Sequence, residues 1–180
     1  MGIEVELGLV RCDAIMQTLE PSAMVTIRFA AVGDVQLLKT MIDEFAEFEH
    51  FSVSVTEETL ARDGFGPEPR FRVLLAESDG QAAGYALFFD YYSSFEGRML
   101  FLEDIYVRAQ FRGKDIGRAL FARLAEIALQ NDCLGVMFNV LDWNTPAIDF
   151  YRKLGAEFWN EWKTVCLRRS ALQAIASDVR

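Results

Sequence analysis

Residues Leu102 to Leu129, LEDIYVRAQFRGKDIGRALFARLAEIAL, decide how the rest of the chain is read. Leu102, Ile105 and Val107 are apolar and β-prone, and Glu103 and Asp104 interrupt them with two acids. After Arg112-Gly113-Lys114 the period changes. Ile116, Leu120, Leu124, Ile127 and Ala128 then recur at the three- and four-residue spacing of one helix face. The stretch therefore predicts a strand, a tight basic turn and a helix starting near Asp115. Such a helix aims its free N–H groups and positive dipole end back at the turn. With Arg112, Gly113, Lys114 and Arg118 around that end, the unit suits a multiply charged anion such as a pyrophosphate. The same residues also read as an ordinary solvated turn, and the stretch alone does not choose between the two.

Composition narrows the field. At 180 residues, 52% apolar and 25% charged, the chain has the make-up of one soluble globular domain with a sizeable core. A net charge of −9 argues against general affinity for nucleic acid or anionic membranes, and is compatible with a small cationic substrate. Cys12, Cys133 and Cys166 are odd in number and widely spaced. They make neither a disulfide framework nor a zinc motif, so reduced thiols in a cytoplasmic protein are expected. His50 is the single histidine, so no multi-histidine metal site is expected. The longest apolar run, near Ala82 to Phe89, is too short to span a bilayer.

Residues 1–23 read as an N-terminal extension, weakly ordered or accessory, without the features of a secretory signal. Residues 24–180 read as a single domain. Thr26 to Ala30 predicts a strand, Gly33-Asp34 a turn and N-cap, and Val35 to Glu49 an amphipathic helix with Leu38, Ile42, Phe45 and Ala46 on one face. Glu44, Glu47 and Glu49 crowd its C-terminal end, where acids oppose the dipole. Thr56 caps a short helix through Arg62, and Gly64, Gly66, Pro67 and Pro69 make a loop. Phe71–Glu77 and Gln81–Tyr91 form a hairpin about Asp79-Gly80, and Met99–Val107 pairs back after a turn at Ser93 to Gly97. Gly135–Leu141 is the next strand, Asn144–Leu154 a helix stopped by Gly155, Trp162–Arg168 a last strand, and a helix follows from Ser170. The order predicts an α/β fold: a mixed, mostly antiparallel sheet with helices on both faces. The central strand and Gly135–Leu141, joined by a helical crossover, form its parallel pair.

Several of these stretches together carry a resemblance. The turn QFRGKDIG resembles the acetyl-CoA signature of the GCN5-related N-acetyltransferase (GNAT) superfamily. EFAEFE (Glu44–Glu49), EETLARDGFG (Glu57–Gly66), FLEDIYV (Phe101–Val107) and DWNTPAIDFYRKLGA (Asp142–Ala156) are similar to its diamine (spermidine/spermine) and thialysine acetyltransferases. The resemblance covers about Thr26 to Leu172. It implies a splayed parallel strand pair, acetyl-CoA as acyl donor without a metal, a small primary amine as acceptor and a homodimer. On this resemblance the pyrophosphate rests on the backbone from Arg112 through Gly113, Lys114, Asp115, Ile116 and Gly117 to Arg118. The pantetheine arm pairs with Ile105, Tyr106 and Val107, and Asn144 and Ala147 lie along the cofactor. Tyr151 lies at the thioester sulfur as general acid. Glu103 is the base or relay for the amine, and Asp104 and Glu49 bind the cation.

The chemistry stands on its own. A primary ammonium, with a pKa near ~10, cannot attack a carbonyl, whereas a nearby carboxylate can bind it and accept its proton. A backbone N–H near Ile105 suits the oxyanion, and a phenol suits the departing thiolate. Each residue also has a structural reading. Tyr151 fits a core position. Trp143, Trp159 and Trp162 fit core or interface. Asn144 and Pro146 are ordinary helix-start residues. On an ideal strand Glu103 and Asp104 face opposite ways, so both serve one site only if a bulge intervenes. The chain departs from the family pattern in four places. Asp115 replaces a glycine and brings a charge near the pyrophosphate. Ala147 replaces a hydroxyl. The loop EHFSVSVT (Glu49–Thr56) lacks extra acids, and Ser93 stands where the polyamine enzymes have another. A short amine or an amino acid side chain is therefore expected ahead of a long polycation. The rivals are acetylation of a protein lysine or amino terminus, and a non-catalytic acyl-CoA-binding module.

Overall fold

Alternation along Arg72–Ser78 sorts the core into two layers. A computed structural model describes residues 24–178, so the extension 1–23 lies outside the described residues. Five strands, β1 (Val25–Phe29), β2 (Arg72–Ser78), β3 (Gln81–Ser93), β4 (Gly97–Val107) and β5 (Val136–Phe138), form one sheet in chain order. β1 to β4 pair antiparallel with one another, and β4 and β5 are parallel. Leu74 and Ala76 of β2 face a cluster with α3 (Ile116–Gln130), whereas Val73 and Leu75 face a cluster with α1 (Val35–Glu49) and α2 (Glu57–Phe65). Helices thus cover both faces, and β2 and β3 are buried on both sides as continuous apolar runs require. Ile116, Leu120, Leu124 and Ile127 are the buried stripe of α3, and each such side chain contributes roughly 1.5–3 kcal/mol on burial.

Local chemistry sets the joints. Asp79 and Gly80, at φ 51° and 75°, make the two-residue hairpin whose twist matches its strands. Thr56 caps α2 by accepting from the Thr59 N–H at 3.3 Å. The α1 helix ends with His50 in the left-handed region, the Phe51 N–H bonding back to Ala46 and the His50 N–H to Glu47.

The structure corrects several sequence expectations. Asp34 does not cap α1 with its side chain. Its carboxylate accepts from the Ala31 N–H and from Arg28 instead, closing a 3-10 turn ahead of the helix. Gly64 lies inside α2 rather than in a loop, because the Phe71 ring packs where a Cβ would stand. The Gly135–Leu141 strand is shortened to Val136–Phe138. Trp162–Arg168 forms no strand, and Trp162, Val165 and Leu167 of that segment are exposed.

By contact the chain divides into two units, Met1–Asn139 and Val140–Arg180. The sheet and α1 to α3 belong to the first; α4 (Thr145–Lys153) and α5 (Arg169–Asp178) belong to the second.

Candidate active site

Between β3 and β4 the register slips by one residue. Leu87 opposes Asp104 and Phe88 opposes Leu102, so Glu103 has no partner on β3 and forms a β-bulge. The bulge reverses the parity of the strand. Leu100 and Leu102 pack on the α3 side, and beyond the bulge Ile105 and Val107 do so, while Tyr106 joins the α1 cluster. Glu103, alternating with Leu102, and Asp104, alternating with Ile105, therefore share the α1 face. The condition that lets both acids serve one site is met.

Asp104 is the half-buried member of the pair and Glu103 the exposed one. The Tyr85 hydroxyl on β3 donates to Asp104 Oδ2 at 3.0 Å. Burial pushes the Asp104 carboxyl up to about 6; the Tyr85 hydrogen bond pulls it back, and the charges of Glu103 and Glu49 push it further up. Glu49, at the last position of α1, is also raised by burial. Desolvation foremost, together with the charges of Asp104 and Glu49, holds the Tyr85 phenol far above its usual range. Among the described residues no Lys or Arg forms an ion pair with Glu49, Glu103 or Asp104. Glu44, by contrast, is engaged structurally. Arg108 donates to both its oxygens at 2.9 and 2.8 Å and to the Ala82 carbonyl at 3.0 Å. This clamp ties the last turns of α1 to the ends of β3 and β4, and so fixes where Glu49 stands.

The basic turn ahead of α3 is built from backbone. Gly113 at φ 75° and Asp115 at φ 56° curl the chain into α3. The first helical bond there runs from the Ala119 N–H to the Asp115 carbonyl, 2.9 Å, which leaves the N–H groups of Ile116, Gly117 and Arg118 ahead of it. Ile116 is buried and anchors this turn. The Asp115 side chain is exposed and makes no cap bond. Arg112 does not simply point outward: its Nε donates to the Val107 carbonyl at 3.0 Å and its guanidinium lies 4.8 Å from the Phe48 ring centre. Lys114 lies 5.4 Å from the Phe111 ring centre.

The parallel pair is short. β5 covers only Leu100 to Leu102 of β4, and Ile105, Tyr106 and Val107 run on with β3 on one side and no strand partner on the other among the described residues. That splay offers main-chain donors and acceptors to an extended ligand.

In the second unit, Asn144 caps α4, its Oδ1 accepting from the Ala147 N–H at 3.3 Å. Its amide N–H₂ is the end left to donate elsewhere. Ala147 presents only a methyl group, and Tyr151 is the buried residue of the helix. Trp143, Trp159 and Trp162 are exposed rather than core.

Tyr85 and Phe48 escaped the sequence reading. A tyrosine inside the apolar run of β3 was the signal for the first, since a buried phenol requires a partner; Phe48 carried no signal beyond an aromatic at a helix end.

A strand splayed from its parallel neighbour, leading into a glycine turn at a helix start, defines an acyl-CoA-dependent transferase fold. The Acetyltransferase (GNAT) family model matches residues 37–156, and the chain belongs to that family as an N-acetyltransferase. GNAT acetyltransferases use acetyl-CoA as co-substrate. The chain is 39% identical over 167 residues to a thialysine N-epsilon-acetyltransferase of Sus scrofa, covering 86% of this chain and 98% of the relative. It is 35% identical to the Homo sapiens spermidine/spermine N(1)-acetyltransferase-like protein 1 over 139 residues, 72% of this chain and 20% of that one. Among solved structures, an integron cassette protein from the V. cholerae mobile metagenome superposes with a TM-score of 0.70 at 22% identity, covering 84% of this chain and 97% of that one. No helix among the described residues is long and apolar enough to cross a membrane.

Proposed function

We propose that the protein transfers acetyl from acetyl-CoA directly to a primary amine of a small cation, a diamine or a thialysine- or lysine-like molecule. The observation that carries this reading is the bulge at Glu103, which turns two acids toward the face that holds Glu49. The donor set fits the coenzyme. Main-chain N–H groups from Arg112 to Arg118 suit the diphosphate, and the open edge at Ile105 to Val107 suits the pantetheine arm. Bound acetyl-CoA supplies the activated thioester.

Asp104 and Glu49 hold the ammonium of the substrate. Glu103, the exposed acid, takes the proton from the reacting nitrogen, directly or through water. The freed lone pair attacks the thioester carbonyl, and a main-chain N–H near Ile105 stabilises the oxyanion. As the C–S bond breaks, Tyr151 gives its proton to the departing sulfur, and the second proton of the reacting nitrogen passes to the tyrosinate, directly or through water, as the amide forms. The products are an N-acetyl amide and CoA thiol. Cytoplasmic residence and a homodimer complete the proposal. The exposed Trp162, Val165 and Leu167, in a β-prone segment without a strand partner, support the second.

The decisive experiment mixes the protein with acetyl-CoA and a panel of short diamines, spermidine, thialysine, lysine and lysine peptides, and follows free thiol. Thiol release with small amines and not peptides is expected; release with peptides alone moves the assignment to protein acetylation. A Tyr151→Phe variant should bind acetyl-CoA normally and lose roughly 10²-fold in kcat, within the usual range for a general acid. Full turnover removes Tyr151 from the mechanism.

A further inference from the structure

We infer that Tyr85 is a positioning residue for the amine: its hydroxyl, 3.0 Å from Asp104 Oδ2, holds that carboxylate in the orientation that receives the ammonium. The inference rests on the reading of Asp104 as a cation-binding acid. Tyr85 is fully buried in the α1-side cluster and opposes Tyr106 across the β3–β4 ladder, the rings 6.2 Å apart. Packing fixes the ring, so the hydroxyl is a rigid donor rather than a mobile one. Asp104 lies immediately after the bulge, opposite Leu87; that pairing sets the face its side chain leaves from, but not how the carboxylate turns on that face. A donor from the adjacent strand supplies that direction.

The donor also sets the charge. The groups facing Asp104 are Tyr85 on β3, Glu103 on β4 and Glu49 on α1, with Tyr106 beside Tyr85. Burial and two neighbouring carboxylates favour the protonated acid, and Tyr85 is the one group among them that favours the anion. A hydrogen bond to an ionised acceptor is among the stronger kinds. Without it Asp104 binds protons more readily and cations less.

The test is steady-state kinetics of Tyr85→Phe across pH 5.5 to 9, with Asp104→Asn and the double variant, using the best amine of the panel. Phenylalanine keeps the ring that fills the core. The expected result is an amine KM raised roughly tenfold at pH 5.5, about threefold at pH 6.5 and much less at pH 9, with the acid limb of kcat/KM moved up by about one pH unit, the loss expected of one charge-assisted hydrogen bond. The kcat at saturation and the acetyl-CoA KM should stay within about twofold, and Tyr85→Phe should add nothing to Asp104→Asn. Site-specific 3-fluorotyrosine at position 85, a stronger donor that preserves shape, should move the acid limb down. An Asp104→Asn variant with an unchanged amine KM overturns the reading of the site itself. If Asp104→Asn is impaired while Tyr85→Phe matches the wild type, or is defective equally at every pH, the role of Tyr85 alone is overturned.

Discussion

Replacing Asp104 by Asn should strengthen the fold while weakening the enzyme, and the gain should depend on pH. The native environment raises this carboxyl from 3.8 to about 6. A group whose folded value lies above its unfolded value favours the folded state only while protonated in both. Its contribution is complete below pH 4 and is lost as pH rises through 6. A displacement of roughly two units, at 1.36 kcal/mol each, makes the ionised carboxylate a burden of about 3 kcal/mol at pH 8. Asparagine never ionises and can still accept from the Tyr85 hydroxyl. Urea unfolding of both proteins at pH 4, 6 and 8 measures the effect. The stability of Asp104→Asn relative to wild type should grow by about 2.5 kcal/mol over that range, with most of the change between pH 4 and 6. A difference that is constant with pH would falsify the claim that desolvation and neighbouring acids govern this group. The kinetic counterpart is an amine KM raised at least roughly tenfold, as expected when a buried cation loses its charge partner.

Asp115→Gly should keep the left-handed turn and remove a negative charge beside the diphosphate, tightening CoA binding about two- to fivefold by calorimetry; the gain should shrink with added salt. In Gly84→Ala the new Cβ would overlap the Tyr106 carbonyl oxygen, so a melt should show a loss of roughly 1–3 kcal/mol. Thr56→Ala removes the cap of α2 and should cost about 1 kcal/mol in denaturant titration, with acetyl-CoA affinity unchanged.

What the sequence revealed follows from where the information is local. The α1 boundaries at Val35 and Glu49 and the turn at Asp79-Gly80 were legible because apolar spacing and turn chemistry act over a few residues. The acids Glu103 and Asp104 and the basic turn Arg112–Arg118 stand out by residue type, which is what suits them to the amine and anion of the proposal. The bulge was not, because it depends on which β3 residue meets which β4 residue, and an isolated strand carries no register. Gly64 reads as a loop residue because glycine disfavours helix, and nothing local signals the Phe71 ring that leaves no room for a side chain there. Trp162–Arg168 has the β-prone residues of a strand, but a strand needs a neighbour, and composition does not supply one.

The extra residue at Glu103 separates scaffold from reactivity. A chain shortened by that single residue could run Leu102 straight into Asp104 against Phe88 and Leu87, regaining an unbroken ladder with Tyr106 and Val107 still opposite their present neighbours. The proposed proton acceptor is thus an insert carried by a strand that does not need it, and selection can gain, lose or exchange it without rebuilding the protein beneath.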